Sequence, residues 1–308
     1  MKLVSDEGRM LMRIDGVFSG GGVKAFAFIG AMKRIEENGF TWERVAGTSA
    51  GAIIACLLAA KYTHREIQTF MEQLDLKDFL DPPAIAKWLP VTKWLFLYYQ
   101  LGIYKGNKLE KWIAAKLAAK NIYTFKDIQL GYLKVVVSDI SLGKLVVIPD
   151  DLERIYGISP EKFPVAKAIR MSAGFPYFFM PNKMTASNQG KSLIIDGGLL
   201  SNFPLWVFEK KPHKRTRPII GVKLTTTPIQ ELKPRKIKTA LHMFHALFLT
   251  MKEAHDARYI STTDAKNIVF IPVRNIESTD FYIDQTTKET LIQAGYEYTD
   301  TFLDRWPK

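Results

Sequence analysis

The chain has 308 residues, 47% hydrophobic and 24% charged, the balance of a globular protein with a substantial core. With 43 Lys and Arg against 31 Asp and Glu, its net charge of +12 favours an anionic partner, such as a phospholipid surface, nucleic acid or an acidic substrate, without choosing among them. Cys56 is the only cysteine, so an internal disulfide is excluded and a reducing compartment is expected; between Ala55 and Leu57 it reads as a small buried hydrophobe.

Residues 1–11 read as an N-terminal segment. Asp6, Glu7 and Arg13 interrupt the stretch where a secretory signal would need an apolar core, so the expected location is the cytoplasm. From Met12 strand and helix alternate. "RIDGVFSGGG" is a short strand ending in glycines, and "VKAFAFIGAMKRIEENGF" carries a helical stripe of Phe26, Ile29, Met32 and Ile35, closed by Asn38 and Gly39. "TWERVAG" is a second strand, and "SAGAIIACLLAAKY" is a nearly all-apolar helix predicted to be buried. Its uncharged apolar run, 52–60, is about half of the roughly 20 residues a membrane span needs, so membrane contact is expected to be peripheral.

The stretch 82–104 is dense in aromatics and prolines. Trp88 and Trp94, with Tyr98, Tyr99 and two lysines, have the chemistry of a membrane interface or an acyl-chain wall; packing of a helical subdomain onto the sheet is the alternative. Further strands are predicted at "YLKVVVSDI", "KLVVIP", "SLIIDGG" and "PIIGVKL". A helix is predicted over 236–259, with Leu241, Phe244, Phe248 and Met251 on one face. Strand, helix, strand, helix order argues for a mostly parallel sheet between helical layers. No repeat or Gly/Ser linker divides the chain, so 12–308 reads as one domain, with a motif-bearing core at 12–223 and a helical part at 224–308.

"GTSAG" fits the Gly-x-Ser-x-Gly pattern of a nucleophile elbow, with a strand before it and a helix after it. Gly47 and Gly51 leave room for the backbones that a sharp turn at Ser49 brings together. A plain serine helix cap is the competing reading. In "SGGGVKA", Gly20, Gly21 and Gly22 follow a strand and open a helix, so their amides can face an anion. A cofactor phosphate would call for an acidic residue at the end of the next strand; that strand ends in Gly47, Thr48 and Ser49, which favours an oxyanion hole. In "IIDGGLLSNFP", Asp196 ends an apolar strand and precedes Gly197 and Gly198: a catalytic base, or an exposed Asp-Gly turn. His213, His242, His245 and His255 follow Asp196 in the order of an α/β-hydrolase triad, although three of them fall on the predicted 236–259 helix. No His/Cys/Asp cluster has metal-ligand spacing, and no nucleic-acid recognition module accompanies the charge.

Taken together, "FSGGGVKAFAFIGAMKRIEENGFTWERVAGTSAGAI", "AIRMSAGFPYFFMP" and "LIIDGGLLSNFP" resemble the patatin-like phospholipase family from about Met12 to Lys223, and the C-terminal part is similar in character to that family's closing helix. The resemblance implies a three-layer α/β/α fold and lipid acyl hydrolysis by a Ser-Asp dyad without histidine, metal or cofactor. Phospholipids or lysophospholipids are the implied substrates. Ser49 matches the nucleophile, Asp196 the base, and Gly20, Gly21 and Gly22 the oxyanion loop. Lys24 matches a position usually basic in the family, where it would hold the loop or meet a lipid phosphate. Ala25 stands where the family often has another glycine, a change that removes no amide. A catalytically silent lipid-binding protein on the same fold is the alternative outside enzymology.

Overall fold

The branched apolar runs form the middle of a 9-stranded sheet. The computed structural model describes residues 2–4, 10–84, 92–129, 131–186, 190–208, 217–225, 237–259, 265–274 and 276–306. In chain order the elements are β1 (Lys2–Val4), β2 (Met10–Phe18), α1 (Phe26–Glu37), β3 (Phe40–Thr48), α2 (Ala50–Ala59), α3 (His64–Glu72), α4 (Thr92–Gln100), β4 (Gly102–Tyr104) and α5 (Asn107–Ala118). There follow β5 (Leu133–Asp139), β6 (Lys144–Ile148), α6 (Leu152–Tyr156), α7 (Val165–Ser172), β7 (Tyr177–Phe179), β8 (Asn182–Ala186) and β9 (Gly190–Asp196). The chain closes with β10 (Ile219–Thr225), α8 (Ala240–Tyr259), β11 (Ile268–Pro272) and α9 (Gln285–Leu303).

Strands β11, β10, β2, β3 and β5 lie side by side and parallel; β9 then pairs antiparallel with β5, and β8 with β9. Alternation along the strands buries both faces. Ile14, Phe18 and Val45 point into a core shared with α1 and α2, whereas Val17 and Ala46 point into a second one closed by Phe203, Leu205 and Phe208. Every strand predicted between 13 and 224 is present, and the mixed α/β fold with a mostly parallel central sheet flanked by helices is the expected one.

The C-terminal part packs against the first helix. A Cβ on Gly30 would overlap the Ile292 carbonyl, and one on Gly295 would overlap the Ala27 carbonyl, so α1 and α9 cross with backbones nearly touching. Arg34 Nε donates to Asp300 at 2.6 Å across the same contact.

One expectation falls largely outside the described residues, and one needs correction. Of the 82–104 stretch, Trp88 and the side chain of Trp94 lie outside the described residues; Leu95, Tyr98 and Tyr99 are exposed on α4. On α8, Phe244 and Phe248 turn inward as predicted, but Met251 is exposed and Lys252 takes the inward place, one i+4 step beyond Phe248. The Leu241 side chain lies outside the described residues.

Candidate active site

Ser49 sits between the last residue of β3 and the first of α2 with φ 55° and ψ −126°, a left-handed conformation that side chains other than glycine rarely adopt. Ser49 holds the N-cap position of α2, but its side chain makes no capping hydrogen bond to the helix and so is not spent on capping. The turn is sharp because its flanks have no side chains: a Cβ on Gly47 would fall on the Gly51 backbone, and one on Gly51 on the Phe18 and Ser19 carbonyls. Two hydroxyls fix it. Ser49 N donates to Ser172 Oγ at 2.9 Å, which donates onward to the Val136 carbonyl at 2.7 Å, and buried Thr48 Oγ1 donates to the Ser201 carbonyl at 2.9 Å.

Asp196 reaches the same place from the other side of β5. Thr48 on β3 is level with Val136, and Asp196 on antiparallel β9 is level with Val137, so two successive β5 residues carry the nucleophile's neighbour and the carboxylate on opposite flanks. Asp196 is only 2% exposed and its Oδ1 accepts from Gly198 N at 2.7 Å, which rules out an exposed turn. Burial pushes the carboxyl above the usual aspartate range; hydrogen bonding with the Ser49 side chain, the Gly198 N–H and the charge of Lys252 pull the other way.

The glycine loop divides its work. Gly20 N donates to the Asn202 carbonyl at 3.0 Å, so this amide is already engaged, and Gly20 serves close approach: its Cβ would press on Asn202 Oδ1 and Ser49 Cβ. Gly21 and Gly22 line the pocket beside Ser49. Gly22 has φ +58°, and a Cβ there would land on the Ser278 carbonyl. Ala25 is 4% exposed and lines the pocket, so its methyl is accommodated. Lys24 is half-buried beside the loop; burial, then the Lys252 charge, lower its pKa, against Glu253 and Glu277.

Behind Ser49 the pocket opens to about 1020 Å³ including its mouth. Ile53, Met71, Phe79, Leu109, Trp112 and Phe178 make up much of its wall, and Ser49, Asp196, Asn202 and Lys252 are among its few polar lining residues. None of the described lining residues comes from 82–104; those described include residues of α2, α3 and α5, Phe79, 175–179 and α8. No histidine is among them either. His213 and the side chain of His245 lie outside the described residues, His242 is exposed, and His255 is half-buried. Among the described residues no three His, Cys, Asp or Glu side chains are grouped to hold a metal ion. Burial raises the Cys56 thiol pKa, which keeps it unreactive.

Sequence reasoning missed three contributors. Ser172 anchors the elbow. Asn202 has a buried Oδ1 without a partner, while its Nδ2 donates to Asp256 at 3.2 Å, and Asp256 pairs with Lys223. Lys252 lines the pocket; burial lowers its pKa, and Asp196 and then Asp256 oppose that. Asn202 stands inside the motif that carries Asp196, and Lys252 one step along a predicted helix stripe.

A family model for patatin-like phospholipase matches residues 16–209. The chain is 48% identical over 296 residues to the uncharacterized protein YqhO of Bacillus subtilis (strain 168), covering 96% of this chain and 99% of that protein. It is 26% identical over 290 residues to the uncharacterized protein R571 of Acanthamoeba polyphaga mimivirus, covering 90% and 89%. Among solved structures, VipD from Legionella pneumophila matches with a TM-score of 0.57 at 18% identity, over 99% of this chain and 70% of that one. The ExoU-SpcU complex of the Pseudomonas aeruginosa type III secretion system matches with a TM-score of 0.53 at 17% identity, over 96% of this chain and 53% of that one. Those two likenesses concern the fold.

Proposed function

We propose that this chain, which belongs to the patatin-like phospholipase family, is a lipid acyl hydrolase in which Ser49 and Asp196 act as a catalytic dyad on phospholipids or lysophospholipids. Ser49 Oγ attacks the ester carbonyl carbon as Asp196 takes its proton; the carbon–oxygen ester bond breaks, and the alcohol leaves with that proton. Water then attacks the acyl-enzyme, giving its proton to Asp196, and the fatty acid departs as Ser49 recovers its own. Gly21 and Gly22 N–H groups face the negative oxygen of each tetrahedral intermediate, at roughly 3 kcal/mol per donor. Gly20 supports them by allowing the loop to lie against Ser49.

An ordinary aspartate, with a pKa near 3.9, is a weak base for an alcohol, and each unit of mismatch costs about 1.4 kcal/mol. Burial of Asp196 reduces that mismatch in the useful direction. The observation that carries the reading is the strained Ser49, with no capping bond, beside a buried Asp196, both lining one largely apolar pocket. A histidine triad has less support, because no histidine is among the described lining residues. No helix among the described residues is long and apolar enough to cross a membrane, and the +12 charge favours peripheral contact at the anionic inner face.

The test is mass spectrometry of products from a mixed phospholipid extract. Wild-type protein should release fatty acid, and Ser49→Ala and Asp196→Asn should not. Binding of the extract without fatty acid release by wild type would favour the silent lipid-binding protein.

A further inference from the structure

Helix α8 presents two adjacent faces with opposite surroundings. Phe244, Phe248 and Lys252, spaced by four, turn inward: Phe244 packs edge-on to Tyr177 at 4.5 Å, Phe248 on Phe175 at 5.0 Å, and Lys252 lines the pocket with Ser49. One residue earlier in each turn come Met243, Leu247 and Met251, which are 53%, 56% and 50% exposed. A one-residue step is a rotation of about 100° around the helix, so this apolar ridge runs alongside the face that lines the pocket.

Such a ridge on the surface calls for an occupant, and charge identifies it. Between Glu231 and Glu253 the sequence has no acidic residue, and four cations, Lys233, Arg235, Lys236 and Lys238, precede the helix; Lys252 is turned inward. Ile237 and Lys238, which lead into the helix, are exposed. Apolar side chains in one row, preceded in the sequence by four cations and followed by Glu253, combine the two signals that hold a helix in the plane of an anionic bilayer.

We propose that α8 docks the protein on an anionic lipid bilayer through Met243, Leu247 and Met251, placing the pocket mouth against the surface from which lipid enters. This inference rests on the lipid-hydrolase reading for its purpose, but not for its physics.

The experiment measures binding to vesicles of phosphatidylglycerol and phosphatidylcholine in equal parts, in a Ser49→Ala background so that the vesicles stay intact. A second readout is hydrolysis of a soluble short-chain nitrophenyl ester by the same ridge variant with Ser49 present. The triple variant M243Q/L247Q/M251Q should bind these vesicles roughly 100-fold more weakly and hydrolyse the soluble ester within about twofold of wild type. Should the triple variant fail to fold, K236E/K238E decides through the same vesicles: the ridge remains, and affinity should fall by at least ~10-fold. Unchanged vesicle binding by either variant overturns the proposal. So does a chain that binds no vesicle, or a ridge variant that only dissolves a dimer. If the soluble ester is cleaved but vesicles are not bound, docking fails and the catalytic reading stands; if vesicles are bound through the ridge but neither the ester nor vesicle lipid is cleaved by the Ser49-bearing protein, the reverse holds.

Discussion

The floor and the roof of the pocket are built by opposite rules. On the floor, backbone meets backbone: Gly47 against Gly51, Gly51 against the end of β2, Gly197 against the Val136 carbonyl. The roof is α8, which has no glycine and is held by aromatic side chains against 175–179. A floor of this kind fixes atoms to within tenths of an ångström and tolerates no added carbon; a roof of side chains can repack. The difference assigns chemistry to the floor and substrate handling to the roof, and substitutions on the two sides should therefore differ in kind.

The largest expected effect is on the floor. Ser49→Ala should lower kcat by about 10⁴-fold or more, and Asp196→Asn should come close to it, since members of one catalytic unit are not additive. Asp196→Asn carries a second signature. The native Asp196 pKa is raised, so its contribution to stability is present below the unfolded pKa and is lost as pH rises through the folded one. Replacing a buried carboxylate by a neutral amide should therefore leave Tm at pH 8 no lower than in wild type, and calorimetry would read this beside the lost activity.

Ser172→Ala should come next. It leaves the Ser49 N–H without its acceptor and the Val136 carbonyl without its donor, at about 1–3 kcal/mol for each unpaired group. The elbow then loosens, and steady-state kinetics should show kcat reduced ~10- to 100-fold with KM little changed.

Lys252→Met belongs to the roof but reaches the floor through charge. The base must be ionised, so kcat/KM rises with pH through the Asp196 pKa, which burial raises and which the Ser49 and Gly198 hydrogen bonds and then the Lys252 charge lower. Without it the acidic limb should move to higher pH. Lys252→Arg should restore the limb, whereas a purely structural role would move neither. Asp256, Lys223 and Glu253 also act on Lys252, and each is unchanged in this comparison. The smallest effect is expected from Phe248→Ala, which removes a roof contact of Phe175: a few-fold rise in KM for long-chain esters with kcat nearly preserved.

How legible each side was follows from the same contrast. The floor could be read because close backbone contact demands glycine, and glycines at 20–22, 47, 51 and 197–198 around one Ser and one Asp mark the tight turns that hold those two side chains. Its error was Gly20, because residue order does not say that an amide has already been taken by the Asn202 carbonyl. The roof was read as an amphipathic helix, but its inward stripe ran to Lys252 rather than Met251, since a spacing of three or four leaves the boundary of a face open. Ser172 is an ordinary serine at the end of a helix; only the placement of α7 over β5 gives it a role. The crossing of α1 with α9 was equally silent, because Gly30 and Gly295 matter only once the two helices meet.

The most direct test of the central claim is covalent. An alkyl fluorophosphonate reacted with the protein, followed by peptide mass mapping, should place one phosphonate on the Ser49 peptide of wild type and none on Ser49→Ala, with Asp196→Asn labelled far more slowly. Equal labelling of wild type and Ser49→Ala, or a phosphonate on another residue, would contradict it.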